Sequence, residues 1–547
     1  MPRLPAKPNL DHLKTQAKDL LSFYRRGDSG AIARFRNALP QARGKDDPAI
    51  AALGLRLHDA QSCVAREHGF ASWADLACAV AARNAASADS AIAIRSLLHM
   101  IYAGDVAGGE NNPQPYAAVR LIEERPELTG GDPYLACSVG DLAVLRGETV
   151  RDPAWVNRPG GPLALPPLVA VTHSSLIRLP DWRDRLIAAA RFLLDAGADP
   201  DQSVPSRWMR SLDSPDDKHP LSALYGAAGQ NHDTELTQLL LSRGANPNDG
   251  ESLYHALDRP AVTRVLLEAG ARIEGTIIYH ALDLADAEPV RVLLAHGADP
   301  NERAPSPPTS DWGSPLLWAI RRRRSLAHIE ALLAAGADPS ARTPAGTSAY
   351  ALALQYGLPD VAAILSGAGA EGSQLSLEEE FVAACTQGDG ARAERILKKD
   401  PGVIQALTPF QLRTLPELAA EGAGDAVRLM VRLGWPVDIP GGDWSASALN
   451  HAVLRGDAVL ARFLLDHGAS WRERHGFCDN VLGTLSYASR NGLTAGGDWV
   501  ACAEALVAAG LPSARRDAGS PGALLIEGER KWFSDDVTEI LLAASAT

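Results

Sequence analysis

A short apolar helical pattern that ends at a glycine recurs along most of the chain. The clearest copy is VLLAHGADPNE at residues 292–302, where the leucines share one helix face and Gly297 follows them. A glycine at this place takes the positive φ angle that closes a helix. The Asp-Pro step after it turns the chain into an extended segment. The pattern predicts a helix end and a turn at Gly197, Gly244, Gly270, Gly297, Gly336, Gly367, Gly434, Gly468 and Gly510.

A second short helix is predicted before each copy of this pattern. Residues 314–338 contain a proline at a helix start, an apolar helix, a turn and a second helix, and residues 447–470 repeat this plan. The unit resembles the ankyrin repeat, which opens with T-P-L-H-x-A-A and closes with V-x-x-L-L-x-x-G-A-D-x-N. The resemblance covers residues 93–547 and implies an all-α ankyrin-repeat solenoid of stacked helix–turn–helix units with β-turn fingers.

The pattern also predicts how the chain is divided. Residues 1–92 contain amphipathic helices without the closing glycine motif, and they resemble the helical leader that precedes ankyrin arrays in some bacterial proteins. We expect them to form an N-terminal cap. Residues 93–370 form a first predicted sub-array, with divergent repeats to about residue 160. A Gly/Ser-rich stretch at 367–380 predicts a hinge, and 371–547 form a second sub-array with a C-terminal capping helix.

The extended fingers between repeats differ in length. Residues 201–219 and 302–313 form long fingers, whereas the two repeats in 245–297 are short. We expect this succession to leave a notch in the array.

Composition narrows the possible partners. A formal net charge of −13 disfavours a nucleic-acid groove, which needs a basic stripe. The chain has no apolar run long enough for a membrane span, and its N-terminus lacks the apolar region of a signal peptide. Six scattered cysteines without a CxxC motif favour reduced thiols in a cytoplasm and no metal site. No cofactor is expected, and the abundance of Ala, Gly and Arg favours a bacterial source.

Several inner helices carry histidine or tyrosine at corresponding positions. His255 and His280 follow Tyr254 and Tyr279, and His173 lies slightly further along its own helix. Because repeats stack at helix-packing distance, we expect His255 and His280 to be neighbours. One hypothesis makes these residues a polar patch in the concave groove. The other makes them hydrogen-bonded bridges between repeats, as the histidine of the ankyrin motif is.

Tryptophans and arginines near the long fingers are further candidates. Trp208 and Trp312 lie in the fingers, where an exposed aromatic side chain would suit partner binding, although each could instead fold back over its own finger. Trp318 is on the following helix. The run Arg321–Arg324 is interpreted either as a solvated turn or as a site for an acidic partner or phosphate, with Arg322 as the candidate contact.

These patterns favour a non-catalytic scaffold that binds a protein or peptide partner through its concave groove and fingers. Trp208, Trp312 and Trp318 are the expected anchors, and Tyr254, His255, Tyr279, His280 and Arg322 the polar contacts. The alternative is an enzyme or small-ligand binder with a pocket where the short repeats (245–297) sit between the long fingers. No known catalytic motif occurs, which favours the scaffold. The weak acid–base candidates are His173, His255, His280, Tyr254 and Tyr279.

Overall fold

The computed structural model describes residues 4–5, 7–109, 112–207, 216–307, 309–370, 374–494, 496–520 and 522–544. Side-chain burial is described for these residues except 216–219. The chain divides into two compact units, Met1–Arg272 and Ile273–Thr547. The hinge predicted at 367–380 includes residues 371–373, which lie outside the described residues. The predicted domain limits at 92 and 370 stay predictions.

The first unit contains sixteen α-helices and one antiparallel hairpin among its described residues. Its elements are α1 (Leu10–Arg25), α2 (Ser29–Ala38), α3 (Asp47–Ala51), α4 (Leu57–Glu67), α5 (Trp73–Ala86), α6 (Ser90–Ile101), α7 (Gly104–Ala107), α8 (Pro115–Glu124), α9 (Pro133–Val139), α10 (Leu142–Arg151), α11 (Pro167–Thr172), α12 (Pro180–Asp195), β1 (Ser203–Ser206), β2 (Asp216–Ser222), α13 (Ala223–Tyr225), α14 (Thr234–Ser242), α15 (Ser252–His255) and α16 (Pro260–Glu268). A π-helical turn, Gly226–Gln230, continues α13.

The second unit continues with helix pairs and has a small sheet before its last described helix. Its elements are α17 (Ile277–Asp283), α18 (Glu288–Ala295), α19 (Pro315–Arg321), α20 (Leu326–Ala334), α21 (Ala349–Gln355), α22 (Pro359–Gly367), α23 (Leu377–Thr386), α24 (Gly390–Lys399), α25 (Val403–Ala406), α26 (Pro409–Leu412), α27 (Thr414–Ala420), α28 (Gly424–Arg432), α29 (Ala448–Arg455), α30 (Ala458–Asp466), α31 (Val481–Asn491), α32 (Trp499–Ala508), β3 (Arg515–Arg516), β4 (Ala523–Ile526), β5 (Glu529–Trp532) and α33 (Asp535–Ala543).

The predicted helix–turn–helix solenoid is confirmed. Within a repeat the two helices pack together, as α29 does with α30, and like helices of successive repeats stack, as α29 does on α31 and α30 on α32. The closing glycines have the predicted positive φ, for example 90° at Gly297 and 97° at Gly468. Gly367 is an exception, because it still belongs to α22 and Gly369 takes the positive φ of 100°. The fold is an all-α repeat solenoid of ankyrin type.

The first five helices, α1 to α5, build a core of their own. Leu13, Leu20, Phe35 and Val64 are buried together, with fractional exposures between 0% and 5%. The Tyr24 hydroxyl donates to the carbonyl oxygen of residue 50 at 2.8 Å and so ties α1 to α3. This packing buries the apolar stripe that the sequence pattern indicated.

The long first finger is a β-hairpin. Strand β1 pairs antiparallel with β2, with Ser203 opposite Ser222 and Val204 opposite Leu221, so the hairpin reaches beyond the predicted end at residue 219. Residues 208–215 of this finger lie outside the described residues. A second feature was not predicted: strands β3, β4 and β5 form an antiparallel sheet before the terminal helix α33. In the described part of the chain, no helix is long and apolar enough to cross a membrane.

Candidate functional site

A pocket of about 380 Å³ opens in the first unit beside the β1–β2 hairpin. We call it the hairpin pocket. Its volume is within the range of sites that bind small molecules or single side chains. The lining residues come from α7 and the residue before it, the hairpin, the end of α13 with its π-helical turn, and α15 with the residue before it. They are Ala103, Asp105, Ser206, Leu221, Tyr225, Gln230, Glu251 and His255.

Two glycines in the π-helical turn let the walls of this pocket approach one another. A Cβ atom on Gly226 would lie 2.4 Å from Cδ2 of His173. A Cβ atom on Gly229 would lie 2.5 Å from Cδ2 of Tyr225 and 3.0 Å from Cβ of His255. Carbon atoms do not approach so closely, so only glycine allows these contacts. π-helical turns are rare and occur often at functional sites.

Gln230 and His173 lie behind the pocket, and Gln230 positions Asp105. The Nε2 atom of His173 lies 2.9 Å from the carbonyl oxygen of Ser222 and donates to it. The Nδ1 atom lies 3.0 Å from Oε1 of Gln230. The Nε2 atom of Gln230 donates to both carboxylate oxygens of Asp105, at 3.0 and 3.1 Å. Burial lowers the pKa of His173, although Asp105 acts in the opposite direction. Because His173 is 1% exposed and donates to Ser222, it supports the pocket wall and does not face the pocket.

Aromatic rings and carboxylates form the opposite wall. The rings of Tyr225 and His255 meet edge to face with centroids 5.3 Å apart, and Nε2 of His255 lies 3.2 Å from Oε2 of Glu251. Burial raises the pKa of Tyr225, and the nearby charges of Asp105, Glu251 and Asp249 raise it further. Tyr225 is therefore a neutral phenol at physiological pH, in a negative electrostatic potential.

The predicted residues of the first unit have different positions relative to this pocket. His255 lines it. Tyr254 is half-buried beside His255, with ring centroids 5.2 Å apart, and His173 is 1% exposed behind the wall. Trp208 lies outside the described residues. His280 belongs to the second compact unit, so its predicted proximity to His255 stays a prediction.

In the second unit, Tyr279 bridges neighbouring segments as the hydrogen-bonding hypothesis expected. Its ring is 1% exposed, and its hydroxyl donates to the carbonyl oxygens of Glu302, at 2.6 Å, and Gly313, at 3.0 Å. Burial raises the pKa of Tyr279 to about 12. His280 follows it and is half-buried on α17. Tyr279 therefore contributes to the solenoid's packing rather than to an open surface.

The expectation that Trp312 is exposed in its finger is wrong. Its side chain is 1% exposed and folds inward against Phe410, with ring centroids 5.0 Å apart. Trp318 is also 1% exposed, and its indole N–H donates to Asp283 at 3.1 Å. The guanidinium carbon of Arg321 lies 5.0 Å from the Trp312 ring and 4.6 Å from the Trp318 ring. Burying both indoles against this cation removes apolar area from water and adds cation–π attraction.

The arginine run does not form a solvated turn. Arg321, with a side chain 1% exposed, pairs with Glu417 at 2.6 Å and Asp443 at 2.7 Å. Arg322 pairs with Asp443 as well, and Nη2 of Arg324 lies 2.9 Å from Glu421. Burial raises the pKa of Asp443, but the two arginines more than offset this and leave it below its ordinary value. The acidic partner of these arginines is therefore in the same chain.

A second cavity, of about 300 Å³, lies next to this arginine network in the second unit. Arg322, Trp444, His451 and Arg455 are among its lining residues. Trp444 packs between His451 and His475, with ring centroids 4.9 and 4.8 Å away. Arg321, Arg322 and Arg455 line this cavity together with one carboxylate, that of Asp443. Arg321 and Arg322 already pair with Asp443, so part of this positive charge is compensated within the unit.

Of the eight residues that line the hairpin pocket, only His255 was predicted from the sequence as a site residue. Tyr225 occupies the same place in its repeat as Tyr254, and Glu251 precedes His255 by one helical turn, so both carried a signal. Gln230 and Asp105 carried none, since their 125-residue separation is closed only by the fold.

No protein-family model matches this chain, and no curated protein matches it. Among solved structures, the ankyrin repeat domain of human ASB11 aligns with 43% of this chain and 98% of that domain, at 19% identity. The TM-score of this alignment is 0.20. The ankyrin-type fold of this chain rests on its own stacked helix pairs and glycine turns.

Proposed function

We propose that this chain is a non-catalytic scaffold that binds a protein or peptide partner, and that the hairpin pocket is one of its contact points. The observation that carries the proposal is the convergence of Asp105, Tyr225, Glu251 and His255 from separate segments on one open pocket. Structural packing alone does not require polar side chains around an open volume. A partner side chain inserted there would be held between aromatic rings and charged groups, as binding hot spots commonly are.

Other predicted contacts enter this proposal in different roles. His255 is a direct contact, with Tyr254 beside it. Trp208 and His280 stay proposed contacts. Trp312, Trp318, Tyr279 and Arg322 are better explained as supports of the second unit, because each is engaged with other groups of that unit.

The chemistry of the pocket favours binding over catalysis. His173 is 1% exposed behind the pocket wall, and its Nε2 donates to the carbonyl oxygen of Ser222. Burial and nearby carboxylates raise the pKa of Tyr225, which makes this phenol a poor general base at neutral pH. The His255–Glu251 pair is the remaining acid–base candidate. The alternative is a small-ligand site or an enzyme that uses this pair, and its ligand would occupy the same pocket.

Site-directed photo-crosslinking tests the scaffold proposal. A benzophenone amino acid at position 255 should form a discrete adduct with a protein in native cells, identified by mass spectrometry. The matched control carries the same amino acid at position 150, because Val150 is 86% exposed on α10 in the same unit.

The expected result is a partner that crosslinks from position 255 and not from position 150. Identical products from both positions would indicate collisional labelling and would contradict the proposal. A small molecule that copurifies with the wild-type chain and is lost from Glu251→Gln, without a protein adduct, would instead favour the alternative.

A further inference from the structure

Resting on the proposed function, we infer that the hairpin pocket binds a basic side chain of the partner, a lysine ammonium or an arginine guanidinium. A basic side chain is expected because the lining residues combine negative charge, an aromatic surface and an apolar surface.

Charge is the first argument. Two of the described lining residues, Asp105 and Glu251, are carboxylates, and none of them is lysine or arginine. Gln230 donates to Asp105 but brings no positive charge, and a carboxylate has about four acceptor positions, so Asp105 can accept further hydrogen bonds. An acidic side chain would be repelled. An apolar side chain would remove water from these carboxylates without replacing its hydrogen bonds.

The aromatic wall is the second argument. Tyr225 and His255 stand edge to face at 5.3 Å, and Tyr225 is half-buried, so part of its ring faces the pocket. A cation over an aromatic face is attracted by the ring quadrupole. Carboxylates and an aromatic ring in one pocket therefore attract the same kind of ligand.

The shape of the ligand follows from the rest of the lining. Ala103 and Leu221 present apolar surface in the same pocket as Asp105 and Glu251. Lysine and arginine combine an apolar stem with a charged end, so they match such a mixed lining. A bare metal ion matches it less well. Among the described residues, no group of three or more His, Cys, Asp or Glu is placed to hold one.

The test uses the full chain and end-blocked peptides of sequence Gly-Ser-X-Ser-Gly, titrated by calorimetry or NMR. X is lysine, arginine, norleucine or acetyl-lysine, and pentylamine is a separate free amine. The variants are Asp105→Asn and Glu251→Gln. Glu268→Gln is the control, because it removes the same charge from an exposed position on α16 of the same unit. Circular dichroism and thermal unfolding establish that each variant is folded.

We expect the lysine and arginine peptides to bind, and the norleucine and acetyl-lysine peptides to bind at least about tenfold more weakly. Glu251→Gln and Asp105→Asn should each weaken binding of the lysine peptide by about tenfold, whereas Glu268→Gln should change it by less than about twofold. If Asp105→Asn does not fold, Glu251→Gln decides alone. Glu251 lines the pocket and its side chain is partly exposed, at 26%, so we expect this variant to fold.

Equal binding of the lysine and norleucine peptides, or unchanged binding by Glu251→Gln, would overturn the inference. If pentylamine binds as tightly as the lysine peptide, the pocket does not require a peptide. That result would refute the assignment of the cation to a side chain of a protein partner. A protein adduct at position 255 together with no cation preference would leave the proposed function standing and refute only this inference. Cation binding without any adduct would refute the proposed function itself.

Discussion

Replacing Arg321 with methionine should destabilise the second unit more than any exposed ion pair could explain. Arg321 is 1% exposed and pairs with Glu417, which is 4% exposed, at 2.6 Å. Removing one partner of a buried ion pair costs about 3–5 kcal/mol, because the remaining charge stays buried without compensation. Glu417 would still accept a hydrogen bond from the backbone N–H of Gly442 at 3.1 Å, and it would keep its ion pair with Arg413 at 3.6 Å. These partners place the expected loss near the lower end, about 3 kcal/mol.

The assay must be local, because solenoids can unfold region by region and eleven tryptophans blur a fluorescence signal. Hydrogen exchange of amides in α19 and α27 under native conditions reports the free energy of opening where Arg321 and Glu417 lie. The matched control is Arg291→Met, because Arg291 is 51% exposed and its pair with Glu288 is 3.8 Å long. Arg291→Met should lower the free energy of local opening by no more than about 1 kcal/mol.

A double variant separates the ion pair from simple loss of packing. Arg321→Met combined with Glu417→Gln leaves no buried charge without a partner at this pair. It should be more stable than Arg321→Met alone by about 1 kcal/mol or more. The reasoning is refuted if Arg321→Met costs no more than Arg291→Met, or if the effects of the two substitutions simply add.

Two further substitutions in the second unit have clear expected results. Trp312→Ala should lower the free energy of local opening by about 3–5 kcal/mol, since the indole is buried against Phe410 and Arg321. The measurement is hydrogen exchange of the amides in α19, and unchanged exchange there would contradict the burial of Trp312. Burial lowers the pKa of His451 from 6.5 to about 4, so the unfolded chain binds more protons between these pH values. The unfolding free energy should fall as pH falls through this window, by on the order of 3 kcal/mol, and His451→Gln should remove this part of the pH dependence. Parallel pH profiles of wild type and variant would contradict the assignment.

The two units use charged side chains near their inner helices differently. In the second unit, Arg321 and Arg322 pair with carboxylates of the same unit. The Arg321–Glu417 pair is buried and the Arg322–Asp443 pair is partly buried. In the first unit, Asp105 and Glu251 line an open pocket whose described lining contains no arginine or lysine. A network that compensates its own charge contributes to the fold. Carboxylates that line an open pocket can contact a partner, and this difference is why the proposal concerns the first unit.

Local sequence determined the repeating unit of this protein. The position of Gly297 and its equivalents fixes where helices end, because a positive φ is accessible there at little steric cost. The spacing of leucines fixes which helix face is buried. These are interactions between residues close in sequence, so the helix pairs and the solenoid could be predicted without the structure.

Tertiary structure alone decided which candidate side chains face solvent. Trp312 was expected to be exposed, but it is buried against Arg321 and Phe410. Phe410 lies 98 positions away in the chain. Asp105 reaches the hairpin pocket across 125 positions through Gln230. A repeat pattern specifies contacts with adjacent repeats, but it does not encode contacts between side chains that are far apart in the sequence. The repeats were therefore determined by sequence, and the site by the path of the folded chain.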